Sequence, residues 1–103
     1  MINNFKVITL CGSTKFKDEF IKIQKELTLQ GIIVISVGIF GHSDGDILTD
    51  EIKTMLDDMH KRKIDMADEI FVINKNGYIG SSTKSEIKYA LKMNKKINYL
   101  ENV

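Results

Sequence analysis

Short apolar runs alternate with amphipathic stretches along the whole chain, and this alternation limits the possible folds more than any other feature. Four runs rich in β-branched residues predict strands, at residues 5–10, 32–36, 69–74 and 97–100. Between them, apolar residues recur every three or four positions, which predicts three helices. A β-α-β-α-β-α-β order is typical of a parallel sheet with right-handed crossovers. We therefore expect an α/β fold in one domain, residues 1–103.

The predicted helices have recognisable ends and apolar faces. Ser13 or Thr14 can cap the first helix, Gly31 ends it, and Thr49 or Asp50 can cap the second. The first helix is predicted to turn Phe16, Phe20, Ile23 and Leu27 inward, the second Ile52, Met55, Leu56, Met59 and Met66, and the third Ile87, Ala90 and Leu91. The unbroken apolar run from Ile32 to Ile35 predicts a strand covered on both faces.

Composition excludes several classes of protein. The chain has 15 basic and 14 acidic residues, so it lacks the basic excess that binding to a nucleic-acid polymer needs. Its longest apolar stretch, residues 31–40, is too short to span a bilayer, and the first residues do not form a signal peptide. The single cysteine cannot form an internal disulfide. We expect a cytoplasmic protein without a membrane partner.

Ligands of open parallel sheets bind beyond the carboxyl ends of the strands. Residues 12–16, 38–46 and 74–86 are predicted to lie there, and they hold most of the small and hydroxyl residues. The first of these segments opens a helix, whose free N–H groups favour an anion, although a plain strand-to-helix turn is the alternative. The candidate binding residues in and beside this turn are Cys11, Gly12, Ser13, Thr14, Lys15 and Phe16. Cys11 is expected to be a buried structural thiol.

A second candidate segment runs from Gly80 to Glu86 and includes Ser82 and Ser85 as candidate binding residues. Thr83 and Glu86 have the spacing of a capping box, which would give Glu86 a purely structural role. Alternatively, Glu86 is a carboxylate in the first turn of a helix, kept ionised by the helix dipole. Such a group can attack an electrophilic sugar carbon or stabilise an oxocarbenium ion.

The chain has two histidines. His42 is predicted to lie in a flexible loop over the pocket, and His60 late in the second helix. The run Lys61–Lys63 is predicted to form a solvated face. The spacing of cysteine, histidine and acidic residues along the chain does not predict a metal site, and no cofactor is expected.

Three segments together resemble a known family. They are residues 7–13, residues 64–72, and residues 80–86 with Ala90 and Lys96. In this order they are similar to the nucleoside 2-deoxyribosyltransferase superfamily, which includes nucleoside 5′-monophosphate N-glycosidases. The resemblance implies a flavodoxin-like, Rossmann-like doubly wound sheet, with four strands in the order 2-1-3-4 and three helices.

The resemblance also implies a function. Members cleave the N-glycosidic bond through a glutamate nucleophile, which matches Glu86, while Gly12 and Ser13 would lie against the sugar or its phosphate. His60 stands where the family commonly has an assisting aspartate, and Asp57 and Asp58 are expected to face elsewhere. We expect cleavage or transfer on a nucleoside, a deoxynucleoside or a 5′-monophosphate, with Glu86 and His60 catalytic. The alternatives are a non-catalytic nucleotide binder and a protein that uses the fold only for protein contacts.

A homodimer or higher homo-oligomer is also expected. With three helices on a four-stranded sheet, one face of strands three and four would lack a helix. Since those strands are rich in apolar residues, a second copy is expected to cover that face.

Overall fold

The computed structural model describes residues 1–102 and has one sheet of four parallel strands. The strands are β1, β2, β3 and β4, at Val7–Gly12, Ile33–Ile35, Glu69–Ile73 and Lys96–Tyr99. They lie in the order β2-β1-β3-β4, so the predicted doubly wound α/β fold with order 2-1-3-4 is confirmed. The register pairs Gly12 with Ile73 at the carboxyl ends of the two central strands.

The three predicted helices are present, together with one short helix that the sequence did not predict. The helices are α1, α2, α3 and α4, at Lys17–Leu29, Gly41–Asp44, Asp50–Asp65 and Ser81–Lys92. The side chain of Ser13 caps the 3-10 turn that leads into α1, and Thr49 caps α3, as expected. The short helix α2 lies in the glycine-rich segment that was predicted to be a loop.

The helices divide the core into two layers, one on each face of the sheet. On one face, α1 contributes Phe20, Ile23 and Leu27, which pack against Ile8 and Leu10. On the other face, Ile64 of α3 and Ala90 of α4 pack against the inward residues of β3. This division places the helices as right-handed crossovers require.

Three burial predictions are wrong. The strand β2 lies at an edge of the sheet, and Ile33 is 38% exposed, so this strand is not covered on both faces. In α3, Ile52, Met55 and Met59 are 40%, 50% and 42% exposed instead of facing the core, and Met66, just after this helix, is 68% exposed. Leu91 of α4 was also predicted to face inward but is 60% exposed. The buried residues of α3 are His60 and Ile64, because only the second half of the helix lies over the sheet.

The face of β3 and β4 on the α1 side is more polar than the sequence suggested. Glu69 accepts a hydrogen bond of 2.9 Å from the Asn98 amide and forms an ion pair of 2.8 Å with Lys6. Phe71 and Leu100 lie partly buried at the border of the core on this face. The expected large apolar patch on this face is therefore replaced by a partly solvated polar network.

Among residues 1–102, none of the helices has both the length and the apolar character needed to cross a membrane.

Candidate functional site

A pocket of about 780 Å³ lies beyond the carboxyl ends of β1 and β3. Its walls come from the loops after both strands, from the segment around α2, and from one side of α3. The sequence-predicted residues that line it are Gly12, Ser13, Thr14, His42, His60, Gly80, Ser82 and Glu86. The topology therefore brings the two glycine- and hydroxyl-rich segments together at one edge of the sheet, as the carboxyl-end rule predicts.

Gly12 allows the two central strands to end close together at this pocket. Its φ of +152° is a conformation that side chains rarely adopt. A Cβ at this position would also lie 2.9 Å from the backbone oxygen of Ile73. A glycine is thus required here for both backbone conformation and space, and its absent side chain leaves the base of the pocket open.

The helix α4 presents its first turn to the pocket. It begins at Ser81, and within the described residues 1–102 no side chain caps it, because its N-cap residue is Gly80. The capping-box interpretation of Thr83 and Glu86 is therefore wrong, since Thr83 already lies inside the first turn. Ser81, Ser82 and Thr83 all line the pocket, so the first-turn N–H groups that a cap would otherwise occupy are left for a ligand.

Glu86 lies one turn further along α4, at the base of the pocket, and is only 8% exposed. Its Oε1 lies 3.8 Å from Nε2 of His60. The same imidazole nitrogen is 3.4 Å from Sγ of Cys11, which is fully buried at the end of β1. Three elements thus bring a thiol, an imidazole and a carboxylate into one buried cluster.

Burial controls the protonation of this cluster. It raises the pKa of Glu86 to about 7, and the negative charge of Asp57 adds to this effect. The expectation that Glu86 stays ionised therefore holds for only part of the molecules at neutral pH, because burial disfavours the charged form. Burial, with the charge of Lys63, lowers the pKa of His60 to about 4, so its ring is neutral at neutral pH. Burial also raises the pKa of Cys11 well above its usual range, and the thiol stays protonated.

The charged residues that line the pocket without having been predicted there are Lys53, Asp57 and Lys63. Asp57 lines the pocket, contrary to the expectation that it faces elsewhere, whereas Asp58 is 76% exposed beside Arg62. The spacing of three between Asp57 and His60 puts both on one face of α3, and this signal was available in the sequence. Lys63 also lines the pocket, and its Nζ donates to the Ser36 carbonyl, so it does not belong to a solvated face.

Four predicted binding residues do not line the pocket. The ammonium of Lys15 stacks over the ring of Tyr78, 3.3 Å from its centroid, and Phe16 contacts the same ring edge-on. Both residues border a smaller cavity of about 370 Å³ on the other side of the turn. Ser85 is exposed on α4 and does not line the main pocket. Cys11 lies behind the pocket wall, in contact with His60.

The first helix turn is less available to an anion than expected. The hydroxyl of Ser13 accepts from the N–H of Lys15, and the Ser13 carbonyl accepts from the N–H of Phe16. Thr14 accepts a hydrogen bond through its hydroxyl from the backbone N–H of His42, which ties α2 to this turn. These contacts occupy the N–H groups of Lys15 and Phe16, whereas α4 has no side-chain cap in the described part of the chain.

The arrangement combines a buried carboxylate with a rim of hydroxyl and N–H groups, and Lys53 and Lys63 add positive charge to the walls. Such a pocket can bind a hydroxylated, anionic small molecule with one carbon against the carboxylate. Compared with models of known protein families and with curated protein sequences, the chain matches none.

Proposed function

We propose that this protein cleaves the N-glycosidic bond of a nucleoside, a deoxynucleoside or a 5′-monophosphate, with Glu86 as the nucleophile. The sugar is then released to water or transferred to a second base. The observation that carries the proposal is the buried carboxylate of Glu86 at the base of a pocket with a hydroxyl-rich rim. A sugar held by that rim would have an electrophilic carbon within reach of the carboxylate. The resemblance of residues 7–13, 64–72 and 80–86 to a family of this chemistry agrees with this reaction.

In the proposed reaction, ionised Glu86 attacks C1′ and forms an ester bond to the sugar. The C1′–N bond breaks, and its electron pair leaves with the base, which takes a proton. Water or a second base then attacks C1′ and releases the carboxylate. Because the pKa of His60 is about 4, this ring has no imidazolium proton to give at neutral pH. We therefore assign the proton to water, and we assign His60 the positioning of Glu86.

The pocket walls suggest how the rest of the substrate is held. A 5′-phosphate would accept hydrogen bonds from the first-turn N–H groups of α4, at Ser81 to Thr83, where the helix dipole also favours negative charge. Lys63 would add a counter-charge on the opposite wall. Asp57, close enough to Glu86 to raise its pKa, offers an acceptor for a sugar hydroxyl or a base N–H.

The proposal is tested by incubating the protein with a panel of nucleosides and 5′-monophosphates, followed by chromatography for free base. A second base in the mixture distinguishes transfer from hydrolysis. Mass spectrometry of the quenched protein should detect the sugar ester on the peptide that contains Glu86. A panel that yields no free base and no labelled peptide would reject the enzymatic function.

The second candidate function is nucleotide binding without turnover. The near-neutral pKa of Glu86 favours it, because a carboxylate protonated in part of the molecules is a weaker nucleophile. Ligand binding would then raise the melting temperature without product. The same panel, read by thermal shift as well as by chromatography, separates the two functions.

A second copy of the chain is proposed as the macromolecular partner, but at a different surface from the one expected. The face of β3 and β4 beside α1 is polar, whereas Ile52, Met55 and Met59 form an exposed apolar stripe on α3. The first half of this helix has a net charge of −2, from Asp50, Glu51 and Asp57 with Lys53, and the second half has a net charge of +1, from Lys61, Arg62 and Lys63 with Asp58 and Asp65. Two antiparallel copies of α3 would therefore pair unlike charges around the stripe.

A further inference from the structure

The buried cluster at the base of the pocket has the donor set of a metal site. Cys11 comes from the end of β1, His60 from α3 and Glu86 from α4, and each offers one ligand atom. These three atoms all lie within 4.8 Å of one another. The residues are 0%, 7% and 8% exposed, so the sheet and two helices hold all three in place. Spacing along the chain does not reveal a metal site whose ligands come from three separate elements.

The distances fit one particular class of ion. Bond lengths of about 2.3 Å to sulfur and about 2.0–2.1 Å to nitrogen or oxygen place tetrahedral zinc ligands roughly 3.3–3.6 Å apart. In the cluster, Sγ of Cys11 lies 3.4 Å from Nε2 of His60, and that nitrogen lies 3.8 Å from Oε1 of Glu86. The distances from His60 to the two other ligand atoms are thus within a few tenths of an ångström of those that one tetrahedral ion requires.

The chemistry of the donors points to the same class. A thiolate and an imidazole favour zinc and cobalt over magnesium and calcium, which prefer oxygen ligands. A thiolate and a carboxylate around one divalent cation also give a site with no net charge, which lowers the cost of its burial. Binding releases the thiol proton of Cys11 to solvent.

We propose that Cys11, His60 and Glu86 bind one zinc-class divalent cation, with the fourth coordination position open to the pocket. His60 and Glu86 line the pocket, so a water molecule or a ligand can reach that position. Three protein ligands with one open position is the arrangement of reactive zinc sites, whereas structural sites use four protein ligands. On the proposed function, in which Glu86 is the nucleophile, a cation bound to the Glu86 carboxylate blocks its attack on C1′ and inhibits the N-glycosidase.

Cobalt(II) is the probe, because its spectrum reports which atoms bind it. Untagged protein in a non-thiol reductant is titrated with cobalt(II), then with zinc. One equivalent should produce a near-ultraviolet sulfur-to-cobalt charge-transfer band and visible bands of tetrahedral intensity, and zinc should remove both. Cys11→Ser should abolish the charge-transfer band. His60→Ala should weaken binding by more than the roughly 10–100-fold that loss of an outer-shell partner costs.

His42 provides the matched control, because it is the other histidine of the chain and also lines the pocket. His42→Ala should leave the cobalt spectrum unchanged. The proposal is overturned if the wild-type protein gives no charge-transfer band, if the band survives Cys11→Ser, or if His42→Ala removes it. Because Cys11 is the one cysteine of the chain, a charge-transfer band in the wild-type protein identifies Cys11 as a ligand even where a variant does not fold.

These measurements need no substrate, so their failure is distinct from failure of the proposed glycosidase. If the protein releases base and also binds cobalt through Cys11, zinc should stop base release and a chelator should restore it. Turnover that persists with zinc bound would overturn the inhibition while leaving the glycosidase in place.

Discussion

Oε1 of Glu86 lies 3.8 Å from Nε2 of His60 at the base of the pocket, with both side chains almost fully buried. These residues are 26 positions apart in the sequence and come from different helices. Burial decides the chemistry of this pair, because it leaves a neutral imidazole beside a carboxylate that ionises near neutral pH. The predictions below begin from this pair.

Glu86→Gln should reduce turnover of a confirmed substrate by at least about a thousandfold, since an amide cannot serve as the nucleophile. The fold should remain intact, because glutamine has nearly the same volume and Glu86 does not cap a helix. The measurement is base release under single-turnover conditions, together with thermal denaturation. The matched control is Asp58→Asn, an exposed carboxylate of α3 that should leave the rate unchanged. An unchanged rate in Glu86→Gln would leave Glu86 with a structural role only.

Ser82→Asp should weaken binding of a 5′-monophosphate far more than binding of the matching nucleoside. The new carboxylate would stand in the first turn of α4, where a phosphate is proposed to bind, and would repel it. The fold should tolerate the change, because an acidic residue is favourable near a helix N-terminus. Ser85→Asp on the exposed side of the same helix is the control and should affect neither ligand. Equal losses for both ligands in Ser82→Asp would place the phosphate elsewhere.

Gly12→Ala should destabilise the protein by about 1–3 kcal/mol or more through its backbone conformation. The close approach of the new Cβ to the Ile73 oxygen adds to this cost, because a backbone atom cannot move aside easily. Gly80→Ala is the control, with φ of −74° and only the Tyr78 side chain nearby, and it should cost under about 1 kcal/mol. Chemical denaturation of both variants compares them directly. A Gly12→Ala variant as stable as the control would contradict the tight junction between β1 and β3.

The fold was predictable because every level of the sequence pattern agreed. Strand-like runs alternated with helical periodicity, and Ser13 and Thr49 marked helix starts that the structure retains. Because the strand pattern, the helical periodicity and the capping residues all indicate the same elements, the topology can be predicted from one sequence. The short helix α2 was missed because a single turn that contains glycine has almost no periodicity.

The site was predictable in position but not in chemistry. The rule for strand ends located the pocket, since it depends only on topology. Protonation depends instead on burial: Glu86 at a helix start was expected to be ionised, yet its burial raises its pKa to about 7. Likewise, the stripe of Ile52, Met55 and Met59 has the periodicity of a core face. Periodicity shows that one face is apolar but does not show what covers it.

Asp68 should make stability depend on acid pH. Its carboxylate accepts hydrogen bonds from the N–H of Val7 and the amino group of Met1, which lower its pKa below the usual 3.8. A lowered folded-state pKa contributes stability above pH about 4, and this is lost as the pH falls through the folded value. Asp68→Asn keeps an acceptor for Val7 but loses the charge. Solvent exposure limits the expected cost at pH 7 to about 1 kcal/mol or less.

The measurement for Asp68 is the difference in melting temperature between wild type and Asp68→Asn across pH 2 to 7. That difference should shrink toward zero at the acid end, where Asp68 of the wild type is itself protonated. Because both proteins share every other carboxylate, the difference isolates this one. A difference independent of pH would show that the charge of Asp68 contributes nothing.

Met55→Glu should convert an oligomer into a monomer. Met55 is half exposed at the centre of the apolar stripe on α3, where the proposed antiparallel pairing would bury it against a second copy. A buried, unpaired carboxylate there would cost more than the apolar contact contributes. Light scattering at micromolar concentration should give a species of twice the 11.7 kDa chain for the wild type and a single chain for the variant.

Leu91→Glu, a change at an exposed leucine on α4, is the control, and this variant should remain an oligomer. Since the pairing also opposes acidic and basic halves of α3, added salt should weaken it. A wild-type protein that is already a single chain, or a control that dissociates like Met55→Glu, would remove α3 as the interface.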